Sequence, residues 1–149
     1  MRTIQLLLLL PGFALITACS PTAPAISSDI NIAKWQKLSL NFTGPETSEM
    51  AEVNPFTDYR LDVTFTNGDH SLTLPGYYAA DGDAAESGAE AGNVWRVNFR
   101  PDTEGTWAWE AVLRKGKDIV YNDNPASGER VAVTDQSGTI FVLPAVDGE

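Results

Sequence analysis

Apolar and polar residues alternate along several short stretches of this sequence, and this period of two limits the fold more than any other feature. From Tyr59 to Phe65 the odd positions are apolar and the even positions between them are polar. Successive side chains of a β-strand point to opposite faces of a sheet, so such a stretch indicates a strand with one buried face. The sequence is therefore predicted to fold mainly as β-strands.

The predicted strands are short and are separated by turn residues. Asn67-Gly68 is typical of a hairpin turn, and 101–105 is a second turn rich in Pro, Asp and Gly. No stretch has a convincing helical periodicity. The fold class predicted is all-β, an immunoglobulin-like β-sandwich of about seven to eight strands. Strands are predicted near 38–42, 59–66, 70–74, 94–100, 106–113, 119–121, 129–133 and 139–143.

Trp95, Trp107 and Trp109 lie on the apolar faces of two predicted strands. Flat indole rings can stack on sugars, which makes them candidates for glycan binding. However, Cys19 is the only cysteine, so no intrachain disulfide can form and packing must stabilise the fold. We therefore predict that these three tryptophans belong to the core.

The N-terminus is typical of an exported protein. Arg2 precedes an apolar run that is too short to span a bilayer comfortably, and the run ends in small residues before Cys19. This segment resembles a bacterial lipoprotein signal, in which the cysteine is lipidated and becomes the new N-terminus. The alternative is a plain signal peptide with a chance cysteine. By the same resemblance, Ser20 after the cysteine favours a lipid anchor in the outer membrane of a Gram-negative cell envelope.

These features predict four segments. A signal peptide occupies residues 1–18, and a flexible tether rich in Pro, Ser and Ala occupies 19–29. The β-sandwich spans 30–144, and 145–149 is a tail or the start of a missing downstream domain. The formal net charge of −10 argues against nucleic acid as a partner, because binding phosphates requires a basic face.

Three blocks of sequence together resemble the DUF5060 domain, a β-sandwich module. They are WQKLSLNFTGPETSE, NPFTDYRLDVTFT and LPGYYAADGDAAESGAEAGNVWRVNFRPDTEGTWAWEA. The resemblance implies an N-terminal module that commonly precedes a TIM-barrel domain, in secreted proteins that resemble glycoside hydrolases acting on plant or algal polysaccharides. Because the catalytic carboxylates of such proteins would lie in the barrel, no catalytic residue, and no enzyme activity, is predicted for this chain.

The candidate contact surface lies elsewhere than the tryptophan-rich strands. Adjacent residues of a strand point in opposite directions, so one tyrosine of a Tyr-Tyr pair can be core while the other is exposed. Trp35 lies outside the apolar face of the first predicted strand. The candidates for contact with a glycan or with a downstream domain are Trp35, Tyr77, Tyr78, Asp81 and Asp83.

No metal site or cofactor is predicted. Asp81-Gly82-Asp83 begins like an EF-hand loop, but the match fails at Glu86 and Gly92, where the loop requires Gly and Glu. A calcium site of another kind remains open, although a solvated loop is the preferred interpretation. His70 is the only histidine and has no second histidine or cysteine for a zinc site, so it is predicted to be a turn residue.

Three functions remain as alternatives. The first is a non-catalytic accessory module of a lipid-anchored protein resembling glycoside hydrolases, contacting its polysaccharide or its barrel. The second is a free-standing lipoprotein that binds polysaccharide. The third is a structural spacer that holds a downstream domain away from the membrane.

Overall fold

Two β-sheets packed face to face make up most of the structure, a computed structural model that describes residues 30–145. The predicted signal peptide and the tether with Cys19 lie outside the described residues, as do residues 146–149. The strands in chain order are β1 Ile30–Ala33, β2 Leu38–Ser48, β3 Tyr59–Asn67, β4 His70–Pro75, β5 Tyr77–Tyr78, β6 Ala91–Phe99, β7 Gly105–Lys115, β8 Glu129–Val131 and β9 Ser137–Leu143.

The larger sheet has the order β1-β9-β7-β3-β4, and β8 pairs with β7 beside it. The smaller sheet has the order β2-β6-β5. All the pairings are antiparallel except that between β1 and β9, which is parallel. This arrangement confirms the predicted all-β sandwich.

The core lies between the two sheets and consists of the apolar positions that the alternation predicts. Phe65 of the larger sheet stacks on Phe99 of the smaller sheet, with ring centroids 4.0 Å apart and planes at 9°. Trp95, Trp107 and Trp109 are at most 8% exposed, so their predicted place in the core is confirmed. The Trp107 indole N–H donates to the Thr103 carbonyl at 2.9 Å, which satisfies its polar atom inside the core.

One predicted strand is wrong. Residues 119–121 form a short 3-10 helix, Ile119–Tyr121, because their backbone N–H groups bond to nearby turns rather than to a strand. The N–H of Ile119 donates to the Gly116 carbonyl, and that of Val120 donates to the Thr57 carbonyl. Ile119 is buried, which explains the apolar character of the segment.

Two strands and one helix were not predicted. β1 and β5 are too short to show a periodicity, and both owe their extended form to pairing with distant strands. A single helical turn, α1 Ala84–Ser87, lies within the acidic segment between β5 and β6.

His70 is the first residue of β4, immediately after the turn at Gly68, where the backbone has a positive φ of 57°. Among the described residues, no helix is long and apolar enough to cross a membrane.

Candidate functional site

The two tyrosines of β5 have opposite roles. Tyr78 pairs with Trp95 and is 5% exposed, whereas Tyr77 pairs with Arg96 and is 44% exposed. The Tyr78 hydroxyl donates to the Thr47 carbonyl at 2.7 Å, and burial raises the pKa of its phenol. Tyr78 is therefore a core residue, and Tyr77 alone of the pair can contact a ligand.

Phe56 joins Tyr77 on the surface and was missed by the sequence analysis. It is 49% exposed, and its ring meets the Tyr78 ring edge-on with centroids 5.8 Å apart. The Asn54 side chain shapes this turn by accepting the Phe56 N–H at 2.8 Å. We call Phe56 and Tyr77 the aromatic ridge, because a recess lies on each side and both residues line both recesses.

The first recess has a volume of about 180 Å³ and is apolar at its base, where Leu61 and Trp95 line it. Arg60 and Asp62 lie in its wall and form an ion pair of 2.9 Å. The Arg60 guanidinium also donates to backbone carbonyls of 122–125, at 2.9 Å to Asn122 and 2.8 Å to Pro125. Arg60 therefore ties the loop after the 3-10 helix to the wall of this recess.

The second recess, of about 260 Å³, is more polar. Glu49, Asp83 and Arg96 line it together with the aromatic ridge. Arg96 is held by two hydrogen bonds, from Nε to the Asn41 side-chain oxygen at 2.6 Å and from Nη2 to the Gly82 carbonyl at 2.5 Å. These bonds orient the guanidinium before any ligand arrives.

The Asp81 side chain forms hydrogen bonds within the acidic segment between β5 and β6. Its carboxylate accepts the Ser87 hydroxyl at 2.6 Å and the Asp83 N–H at 2.8 Å. These two bonds hold the pKa of Asp81 below its ordinary value, and the Ser87 bond has the larger effect. Asp81 therefore supports the loop, whereas the exposed Asp83 lines the second recess.

Gly92 lets this loop pack closely against the start of β6. A Cβ at Gly92 would collide with the backbone carbonyl of Ala80 and would lie 2.7 Å from the backbone nitrogen of Asp81. Within residues 30–145, no group of three or more His, Cys, Asp or Glu side chains is placed to hold a metal ion.

Trp35 lies apart from the aromatic ridge and lines neither recess described above. It is 49% exposed in the turn between β1 and β2. Its carbonyl accepts a hydrogen bond from Arg100 Nε, and its N–H donates to the Pro101 carbonyl at 2.9 Å. The predicted candidates thus fall on two places, Tyr77 with the acidic loop and Trp35 at the far end of the smaller sheet.

The site combines exposed aromatic rings with polar groups. Glycoside hydrolysis requires a carboxylic acid whose pKa is raised. The two described carboxyl groups with clearly shifted pKa values, Asp58 and Asp81, are both lowered by hydrogen bonds. Exposed aromatic rings beside polar recesses instead suit stacking on a sugar ring, with hydrogen bonds at its edge.

Comparisons with known proteins identify the family. One similar solved structure is that of "a putative glycoside hydrolase" from Bacteroides vulgatus, at 24% sequence identity and a TM-score of 0.49. The similarity covers 80% of this chain but 17% of the other, so this chain spans less than a fifth of that protein. No curated protein matches the sequence. The family model described as "Domain of unknown function (DUF5060)" matches residues 31–114, more than half of the chain, and the chain therefore belongs to the DUF5060 family.

Proposed function

We propose that this chain is a non-catalytic accessory module that contacts polysaccharide through the aromatic ridge. The observation that carries the proposal is the exposure of Phe56 and Tyr77, 49% and 44%, where both line the same two recesses. Two exposed aromatic side chains that line the same recesses form an apolar patch of the kind found at contact surfaces. Polar groups of the recess walls, such as Asp83 and Arg96 in the second recess, are placed to bond to sugar hydroxyls.

The proposed setting is a lipid-anchored protein of the bacterial envelope that resembles glycoside hydrolases. Acylation at Cys19 would hold the module on the outer membrane, and a downstream TIM-barrel domain would carry the catalytic carboxylates. Support for this setting comes from the lipoprotein-like N-terminal sequence and from the architecture implied by the resemblance to DUF5060 proteins.

Binding to immobilised plant and algal polysaccharides tests the contact. The purified chain is expected to be retained, and Tyr77→Ala to be released while its melting temperature stays unchanged. Tyr121→Ala is the matched control, because Tyr121 is 75% exposed and lines neither recess. The chain itself is expected to release no reducing ends from any retained polymer.

Two results would favour the other functions. If neither the wild-type chain nor Tyr77→Ala binds any polysaccharide, the chain acts as a spacer, or the aromatic ridge contacts the downstream domain. The DNA that follows the Glu149 codon distinguishes the accessory module from the free-standing lipoprotein. A frame that continues into a barrel supports the accessory module, whereas an immediate stop codon supports a free-standing polysaccharide-binding lipoprotein.

A further inference from the structure

The outward face of the smaller sheet is mostly polar. Because β5, β6 and β2 lie side by side, Tyr77, Arg96 and Asn41 form one row across the sheet. Asn98 and Ser39 form the next row. We call this face, from Tyr77 to Arg100 just after β6, the outer platform.

Hydrogen bonds between neighbouring strands order the side chains of the outer platform. The Ser39 hydroxyl donates to the Asn98 side-chain oxygen at 2.7 Å. Arg96 Nε donates to the Asn41 side-chain oxygen at 2.6 Å. Side chains that are already ordered lose little conformational entropy when a ligand binds.

The outer platform carries three cations although the protein is acidic, and the carboxylates of Glu49 and Asp83 lie at its Tyr77 end, where they line the second recess with Arg96. The chain has ten Lys and Arg residues against twenty Asp and Glu. Three of these ten cations, Lys37, Arg96 and Arg100, continue the outward-facing positions of β2 and β6 and lie on the outer platform or at its end. The ion pairs found among residues 30–145 are Arg60–Asp62 and Arg130–Glu110, so neither uses any of these three. Three cations that form no ion pair, on one face of a protein of opposite net charge, suit an anionic partner.

Trp35 marks the end of the outer platform opposite Tyr77. Its φ of 70° lies in the left-handed region, which is unfavourable for a bulky side chain. The strain is held by the bonds to Pro101 and Arg100, and the ring remains 49% exposed. Strained backbone that presents an exposed side chain is common at ligand sites.

The spacing of the two aromatic residues suits a polymer. Tyr77 pairs with Arg96, and Trp35 is bonded to Arg100, four residues further along the chain. At about 3.3 Å per residue this separation is about 13 Å, which corresponds to a few sugar rings. The polar and cationic side chains lie between these two ends.

We propose that the outer platform binds an anionic polysaccharide, one that carries uronate carboxylates or sulfate esters. Tyr77 and Trp35 stack on sugar rings at the two ends, and Lys37, Arg96 and Arg100 bind the anionic groups between them. This inference rests on the proposed function and names the chemical class of its glycan.

Calorimetric titration of the full chain with four polymers at low salt tests the inference. Polygalacturonate carries carboxylates, κ-carrageenan carries sulfates, unsubstituted galactan is neutral, and polyglutamate is an anion without sugars. We expect binding to one or both anionic glycans, with little binding to galactan or polyglutamate. Lys37→Ala with Arg100→Gln should weaken that binding about tenfold, because two exposed attractive charges are removed.

The matched control removes two cations from other faces, Lys117→Ala with Arg130→Gln, and should leave the affinity nearly unchanged. Equal binding to the neutral galactan, or an equal loss of affinity in the control variant, would overturn the preference for anionic glycans. The contact with glycan would not be contradicted by that result. Equal binding to polyglutamate would show attraction by charge alone and overturn glycan recognition at this face. Absence of binding to all the glycans would overturn both this inference and the proposed function.

Discussion

The Tyr78 hydroxyl donates a 2.7 Å hydrogen bond to the carbonyl oxygen of Thr47, at the place where β2 shifts its register against β6. The shift between Thr43 and Thr47 interrupts the regular ladder, and the phenol supplies a partner for the carbonyl. The bond fastens the two-residue strand β5 to the far half of β2. It therefore positions Tyr77, the exposed neighbour of Tyr78, on the surface.

Tyr78→Phe should lower the free energy of unfolding by about 1 kcal/mol, because the Thr47 carbonyl loses a partly buried hydrogen bond. Tyr78→Ala should lower it by about 3–5 kcal/mol, since it also leaves a cavity in the core. Urea denaturation measures both values. Tyr77→Ala, the control on the exposed side of the same strand, should change stability by less than about 0.5 kcal/mol. An equal loss in Tyr77→Ala would contradict the assignment of the two tyrosines.

Arg60→Lys should loosen the loop of residues 122–125 that Arg60 holds. The guanidinium bonds Asp62 at 2.9 Å together with the carbonyls of Asn122 and Pro125, and one ammonium group cannot span all three. We expect a loss of about 1–2 kcal/mol and faster amide exchange of the N–H groups in 119–125. Arg114→Lys is the control, because Arg114 makes a single bond to the Gly128 carbonyl at 3.2 Å. Unchanged exchange in 119–125 would show that the loop is held by other contacts.

Asp81 should make stability depend on pH in the acid range. Its pKa is lower when folded than when unfolded, because the Ser87 hydroxyl and the Asp83 N–H bond to the carboxylate. Its contribution is therefore complete above the unfolded pKa of about 3.9 and is lost as the pH falls through the folded pKa.

Ser87→Ala should raise the pKa of Asp81 towards its ordinary value and reduce the part of the acid destabilisation that Asp81 contributes. NMR titration of the Asp81 carboxyl carbon reports the pKa, and urea denaturation at neutral and acid pH reports the stability. Ser137→Ala, at an exposed serine of β9, is the control. An Asp81 pKa that does not rise in Ser87→Ala would refute the role of this bond.

Cys19→Ser should abolish lipid attachment if the N-terminus is a lipoprotein signal. Labelled palmitate is expected to enter the wild-type protein and to be absent from the variant. The wild-type protein should sediment with membranes, and the variant should remain in the soluble fraction. Labelling of both proteins, or of neither, would favour the plain signal peptide.

The sandwich could be predicted because its strands carry a local pattern. Residues 59–66 and 94–100 alternate so regularly that both the strands and the buried face of each follow from the sequence. Residues 119–121 show the limit of this reasoning. Three apolar residues fit a strand or a turn equally well, and the hydrogen bonds of Ile119 and Val120 to nearby turns decided between them.

The candidate site was predicted in part. The Tyr-Tyr pair indicated that one ring is exposed, but nothing local distinguishes Tyr77 from Tyr78. Phe56 gave no signal, because a single aromatic residue in a polar turn is as common in a core as on a surface. Asp81 and Asp83 look alike in the sequence and are both exposed, and only the position of Ser87 relative to the loop makes Asp81 the carboxylate that supports it.

The alternation of residue types by itself determined the all-β class, the position of most strands and the membership of the core, because the direction of a side chain along a strand depends only on its neighbours in sequence. Only the tertiary structure decided that Phe56 stands beside Tyr77 and that Lys37, Arg96 and Arg100 share one face with Trp35 at its end. These residues are brought together by the register of β2, β5 and β6. That register depends on how two sheets bury their faces against each other, which no single stretch of the chain encodes.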